Sequence, residues 1–278
     1  VKRLLLVALV ACTTSKPRPT TFGGDRPVEL QVPTPFDPKK SYPLVLVLHG
    51  YGASGFVQEA FFGMNYVAKM GEAFVLAPDG LTDSQGHEFW NADPTCCDFD
   101  HLMPDDVGYL GGLIDDVTKA WPIDPQKILV LGHSNGGYMA YRMACDRSDV
   151  VSNIIVLAGA AASDATTCVP QFPVSVLHIH GTADDMVPYV PNAEYSVTQW
   201  ATLDQCAQTR TAGPALDLDT GIPGAETTTA TFDGCPASIA VELWTIQGAG
   251  HIPAFDVPTI SSTIFQYLQD HRRILVPD

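Results

Sequence analysis

The chain has 278 residues, 46% of them apolar and 17% charged, the size and composition of one large globular domain with a substantial core. Fibrous, collagen-like and disordered classes are excluded by that composition. Acidic residues number 31 against 15 basic, a formal net charge of -16, which argues against a nucleic-acid surface or a polybasic membrane patch.

In chain order, two cations at Lys2 and Arg3 come first, then an apolar run from Leu4 to Ala11, Cys12, and a polar, Pro-containing stretch. The run is far below the roughly 20 residues that cross a bilayer, so residues 1–11 predict an export signal and 12–25 a tether. Leu9-Val10-Ala11-Cys12 resembles the lipobox of bacterial lipoproteins, which implies lipidation of Cys12; an ordinary cleaved signal peptide is the alternative. The expected location is therefore outside the cytoplasm, either anchored to the envelope by a lipid on Cys12 or secreted.

From residue 26 to 278 short β-branched apolar runs alternate with longer amphipathic stretches, the signature of an α/β sheet. Strands are predicted at Val28–Val32, Leu44–Leu48, Phe74–Ala77, Lys127–Leu131, Ile154–Ala158, Val174–Ile179 and Val241–Ile246. Most are continuously apolar, as strands covered on both faces require. Helices are predicted near Gly55–Met70, Asp105–Trp121, Gly136–Asp146, Ala193–Leu203 and Thr259–His271. Asp105 and Asp106 suit a helix N-terminus, and Pro122 to Pro125 make a turn into the next strand. From Asp204 to Pro236 the composition shifts to Thr, Gly, Asp and Pro, which predicts an excursion from the sheet. The expected architecture is a single, doubly wound, mostly parallel α/β domain.

Seven cysteines less Cys12 leave six, and an even count in an exported chain reads as disulfides. Cys206 and Cys235 bracket the insertion and form the best single pair, whereas the adjacent Cys96 and Cys97 are expected to reach different partners. Zinc is the competing reading of the cysteines, but no C-x-x-C or Cys/His spacing suits it. No metal and no other cofactor is expected.

The chemistry centres on "ILVLGHSNGGYMA", residues 128–140, where an apolar run stops at three glycines around one serine. Gly132-His133-Ser134-Asn135-Gly136 fits G-x-S-x-G, in which a strand turns sharply into a helix and bares the serine hydroxyl. A plain Gly-rich connection is the bland reading, and a nucleotide loop lacks its lysine. Serine needs a base to take its proton and a carboxylate to orient that base, in the chain order Ser, Asp, His.

"HIHGTADDMVP" places Asp184 just past a strand, and "GAGH" places His251 in a loop past the last one. Both lie at carboxyl ends of strands, where open α/β sheets put their sites. Asp185 competes with Asp184. His178 and His180 share a strand face and could suggest a metal, but no third ligand has suitable spacing. His49 and His133 sit at strand ends, where packing or hydrogen bonding is the ordinary explanation. The oxyanion of an acyl-transfer intermediate needs two N–H donors; Asn135 and Tyr51, in "HGYGAS", are the candidates.

"LHGYGAS", "DDVGYLGGLIDDV", "GHSNGGYMAYRMAC", "HIHGTADDMVPY" and "GAGH" together resemble the exported esterases named polyhydroxybutyrate depolymerases and feruloyl esterases, close to carbohydrate esterase family one. The resemblance spans roughly residues 26 to 270. It implies an α/β-hydrolase fold, selects Asp184 over Asp185 through G-T-x-D, and implies that Cys97 or Cys96 pairs with Cys145, leaving Cys168 among the candidates. It also makes Trp90 a candidate substrate contact, with His133 beside the nucleophile as a second; core packing is the alternative. Where many relatives carry an aromatic after the catalytic histidine, this chain has Ile252-Pro253-Ala254.

The expected function is hydrolysis of a carboxylic ester by Ser134, His251 and Asp184, with a feruloyl, aryl or short-chain acyl ester as substrate. A polyhydroxyalkanoate depolymerase or oligomer hydrolase is the alternative within that chemistry. A non-catalytic, hydrolase-like binding lipoprotein is the alternative outside it. The expected partner is a small or oligomeric ester, with no nucleic acid.

Overall fold

The computed structural model describes residues 17–273. Cys12, its proposed lipid and the signal segment lie outside the described residues.

A short ribbon of β1 (Thr21–Phe22) and β2 (Val28–Glu29) precedes β3 (Tyr42–Leu48), α1 (Gly55–Phe62), α2 (Met64–Lys69) and β4 (Phe74–Leu76). A second ribbon, β5 (Leu81–Thr82) and β6 (Glu88–Phe89), leads to α3 (Asp106–Ala120), β7 (Ile123–His133), α4 (Asn135–Asp146) and β8 (Asn153–Leu157). Then follow β9 (Ser175–Gly181), α5 (Tyr189–Leu203), β10 (Arg210–Ala212), β11 (Thr227–Phe232), β12 (Val241–Ile246) and α6 (Val257–Asp270).

The central sheet has eight strands in the order β10-β11-β12-β9-β8-β7-β3-β4. From β12 to β4 every pairing is parallel, and β10 and β11 add antiparallel strands at one edge. The chain steps from β3 outward to β4, then returns to β7 on the other side, so β3 and β7 flank the point where the winding reverses.

Alternation along each strand divides the core in two, because successive side chains point to opposite faces. Leu44, Leu46, Leu48, Ile128 and Val130 pack under α3, α4 and α5. Val45, Val47, Leu129 and Leu131 pack under α1, α2 and α6. Burial on both faces explains why these strands read as unbroken apolar runs.

Three features differ from the sequence reading. The helix expected over Gly55–Met70 divides at Gly63, whose φ of 67° closes α1 in a left-handed cap. The Pro122–Pro125 turn is largely strand: β7 already pairs at Tyr42↔Ile123 and resumes after an irregularity. The Asp204–Pro236 segment is no excursion, since β10 and β11 extend the sheet. The Thr-rich β11 and the three-residue β10 are hidden because antiparallel strands covered on one face need no continuous apolar run.

The disulfides join Cys96 to Cys97, Cys145 to Cys168 and Cys206 to Cys235. The pairing of Cys145 with Cys96 or Cys97, and the expectation that those two neighbours reach different partners, are thereby corrected. Cys145 ends α4 beside the loop that follows β8, and that loop carries Cys168 to it.

Candidate active site

The turn from β7 into α4 is made possible by missing side chains. A Cβ at Gly132 would lie 2.0 Å from the Gly136 carbonyl oxygen, and one at Gly136 would lie 2.2 Å from Leu48 O. The third glycine, Gly137, lets α4 press on Gly159, whose Cβ would fall 2.9 Å from Gly137 Cα. Ser134 itself sits at φ 54°, ψ -121°, a conformation that costs about 1–3 kcal/mol and persists only where the surroundings enforce it. Here the ladder bond from Ser134 N to Leu157 O, 2.9 Å, does so. Although Ser134 is the N-cap residue of α4, its hydroxyl makes no cap bond to the helix.

Asp184 follows β9 in a tight turn. Its Oδ1 accepts from the N–H groups of Met186 and Val187, both at 2.9 Å. Its Oδ2 accepts from His251 Nδ1 at 2.8 Å. Asp185, next to it, is exposed. Gly181 lets the two loops cross: a Cβ there would meet Ala249 O at 2.3 Å. The crossing is fastened by Ala183 N to Ala249 O, 2.9 Å, and by Gly248 N to Thr182 Oγ1, 2.8 Å.

His133 packs its ring 4.9 Å from that of His251 and donates from Nε2 to the His251 carbonyl at 3.0 Å. Burial, and then the neighbouring His251, push the His133 imidazole down to about 4, so it stays a neutral donor. Ser134, His251 and Asp184 thus gather at the carboxyl ends of β7, β12 and β9. Among the described residues no hydrogen bond joins Ser134 Oγ to His251 Nε2.

Tyr51 follows β3 across the winding reversal from Ser134. Its phenol bonds Asp83 and His87 and its ring packs edge-on to Phe99, which anchors the loop, and the preceding Gly50 approaches the elbow so closely that a Cβ there would lie 3.3 Å from Ser134 Cβ. The bond to Asp83 holds the Tyr51 phenol up at about 12. Asn135 Oδ1 accepts from Trp90 N at 2.7 Å and its Nδ2 donates to Trp90 O at 2.9 Å, as a neighbouring strand would. Among the described residues neither the Tyr51 nor the Asn135 N–H is committed to a backbone carbonyl.

Trp90 is not a substrate contact. Its side chain is fully buried, and its indole N–H donates to His49 O at 3.1 Å. It props the two loops that carry Tyr51 and Asn135 from below. His133, bonded to the His251 backbone, likewise holds the loop. A cavity of about 470 Å³ lies along α4 instead, walled by Tyr138, Arg142, Asn91, Asp93, Ala160 and Ala162.

Sequence reasoning set aside His178 and His180, which the fold places directly behind Asp184. His180 Nε2 lies 3.2 Å from Asp184 Oδ2. The signal was present in the sequence, as two histidines on one strand face leading into the acid's own turn.

The chain is similar to known proteins. Feruloyl esterase B from Piromyces equi is 26% identical over 246 residues, covering 81% of this chain and 42% of that protein. A bifunctional acetylxylan esterase/xylanase, XynS20E, from Neocallimastix patriciarum is 24% identical, covering 89% of this chain and 34% of that protein. The chain thus spans less than half of either relative. The solved structure of an acetyl xylan esterase from Aspergillus awamori has the same fold, with a TM-score of 0.63 at 14% identity, covering 88% of this chain and 94% of that one. The model of the phospholipase/carboxylesterase family matches residues 35–212, from the strand before the Tyr51 loop through the elbow and the Asp184 turn, and the chain belongs to that family of α/β-hydrolases.

Proposed function

We propose that this chain is an exported serine carboxylic-ester hydrolase. The observation that carries the reading is the 2.8 Å bond between His251 Nδ1 and a buried Asp184, held by crossed loops at the sheet end where Ser134 is bared. A proton on Nδ1 leaves Nε2 as the base.

His251 Nε2 takes the Ser134 proton as Oγ attacks the ester carbonyl. The imidazolium that forms is stabilised by Asp184, and the oxyanion by the N–H groups of Tyr51 and Asn135, which cost no reorganisation because both loops are anchored. His251 then protonates the departing alcohol. Water, deprotonated by the same imidazole, releases the acid and restores Ser134. No step needs a cofactor.

The names of the relatives favour feruloyl, acetyl or other short-chain esters. The cavity beside α4, whose walls include none of Ser134, Asp184 and His251, is of the size that small-molecule sites have. Three disulfides support export to an oxidising compartment.

Methyl ferulate, p-nitrophenyl acetate and butyrate, and polyhydroxybutyrate film form the discriminating panel. Turnover of the soluble esters is expected, and Ser134→Ala should lower kcat by a factor on the order of 10⁶. Turnover retained in that variant sinks the mechanism. Release of soluble product from film alone replaces it with a depolymerase, and no turnover at all favours a binding protein.

A further inference from the structure

Behind the Asp184 carboxylate a line of buried polar groups runs into the core. Tyr141 on α4 contacts His178 Nδ1 through its hydroxyl at 2.9 Å. His178 Nε2 lies 2.9 Å from His180 Nδ1. His180 Nε2 lies 2.8 Å from Val187 O and 3.2 Å from Asp184 Oδ2. All three side chains are essentially inaccessible.

The protons in this line can be placed from one end. Val187 O and Asp184 Oδ2 are both acceptors, so His180 carries its proton on Nε2. His180 Nδ1 is then an acceptor, so His178 carries its proton on Nε2. His178 Nδ1 in turn accepts from the Tyr141 O–H. Every group in the line has a partner, and the direction is the same throughout.

Burial pushes both imidazoles below their ordinary value, His178 well below it, so the line stays neutral. The ionisable groups facing it are Tyr141 from α4, Tyr189 from α5, whose ring stands edge-on to His180 at 5.7 Å, His133 from β7, which also packs on His251, and Asp184 and His251 from the loops. Glu194 of α5 reaches Tyr189 and is paired with Arg210. β12 presents Leu243 and Thr245 opposite His178 and His180, and β8 presents Val156 opposite His178.

We propose that His180, locked in one tautomer by His178 and Tyr141, is a positioning residue that fixes the Asp184 turn and limits how strongly Asp184 holds a proton on His251. His180 bonds the Val187 carbonyl while the Val187 N–H holds Asp184 Oδ1. Its N–H edge also faces Oδ2, withdrawing negative charge from the oxygen that His251 uses. Without that N–H the carboxylate stabilises imidazolium more, and His251 stays protonated to higher pH. The inference rests on the proposed esterase mechanism.

The test compares His180→Leu with His180→Gln, which keeps a donor near Nε2. Each is read as kcat, KM and the pH profile of kcat/KM, normalised by burst titration of acylating sites. His180→Leu should lower kcat about 10- to 100-fold with KM little changed, and move the acidic limb upward by about half to one pH unit. His180→Gln should restore most of both. An acidic limb that does not move in His180→Leu overturns the proposal, while loss of turnover in Ser134→Ala shows that the esterase mechanism still stands.

Nitrogen-15 NMR of histidine-labelled wild type decides the matter even if His180→Leu does not fold. Neutral Nε2–H tautomers at both positions from pH 5 to 8 support the proposal. A protonated or Nδ1–H His180 in that range overturns it.

Discussion

Asp204 closes α5 with its carboxyl buried, Oδ1 accepting from Val174 N at 3.2 Å and Oδ2 without a hydrogen-bond partner among the described residues. Burial raises its pKa to about 8, from 3.8. Folded protein therefore holds a proton there that the unfolded chain releases above its ordinary value, so stability present at acid pH is lost as pH rises towards 8. Asp204→Asn removes that loss. Its melting temperature should pull ahead of wild type progressively from pH 5 to pH 8, by a free energy on the order of 5 kcal/mol at the upper end. A gap that does not change with pH would show that Asp204 is not buried as an acid. The same physics decides which site residues could be read from sequence. Ser134 and His251 stand at strand ends, where periodicity and glycine spacing single them out, whereas the choice of Asp184 over Asp185 rests on the family resemblance. The roles of His180 and Trp90 depend on what lies across the sheet or under a loop, which no local pattern encodes.

The strands were legible in proportion to their burial. β3, β7, β8 and β9 are covered on both faces and show as apolar runs. β10 is a three-residue edge strand and β11 beside it is rich in threonine, so composition alone made them look like a loop. Cys206–Cys235 fastens this edge to the end of α5 across a separation of 29 residues. It lies near the start of β12, opposite the end that carries the site. Replacing both cysteines by alanine should therefore cost about 2–4 kcal/mol of unfolding free energy, read by urea denaturation, with kcat on p-nitrophenyl acetate within a factor of about two. A large fall in kcat with the melting temperature unchanged would contradict this, because it would tie the edge to catalysis and not to stability. The other two bonds were misassigned for a different reason: pairing follows from which loops meet, and Cys145 meets the loop after β8, not the one before α3.

At the scale of the whole molecule, the winding reversal between β3 and β7 brings the Tyr51 loop and the Ser134 elbow together, so the proposed oxyanion donors come from segments far apart in sequence. That follows from topology, and open α/β sheets place ligands at such a reversal. The alternation of strands and helices made this much predictable before any side chain was placed. Charge acts over the same distance. With a formal net charge of -16, the molecule repels anions, and its field reaches about 30 Å at 0.01 M salt but only about 8 Å at 0.15 M. A negatively charged ester is therefore depleted around the protein at low salt, whereas a neutral ester is not. Raising salt from 0.01 to 0.15 M should increase kcat/KM several-fold for a p-nitrophenyl half-ester of a dicarboxylic acid and leave that for p-nitrophenyl acetate nearly flat. Equal salt responses for the two esters would mean that nearby groups such as Arg142, at the cavity beside α4, set the local potential in place of the molecule's overall charge.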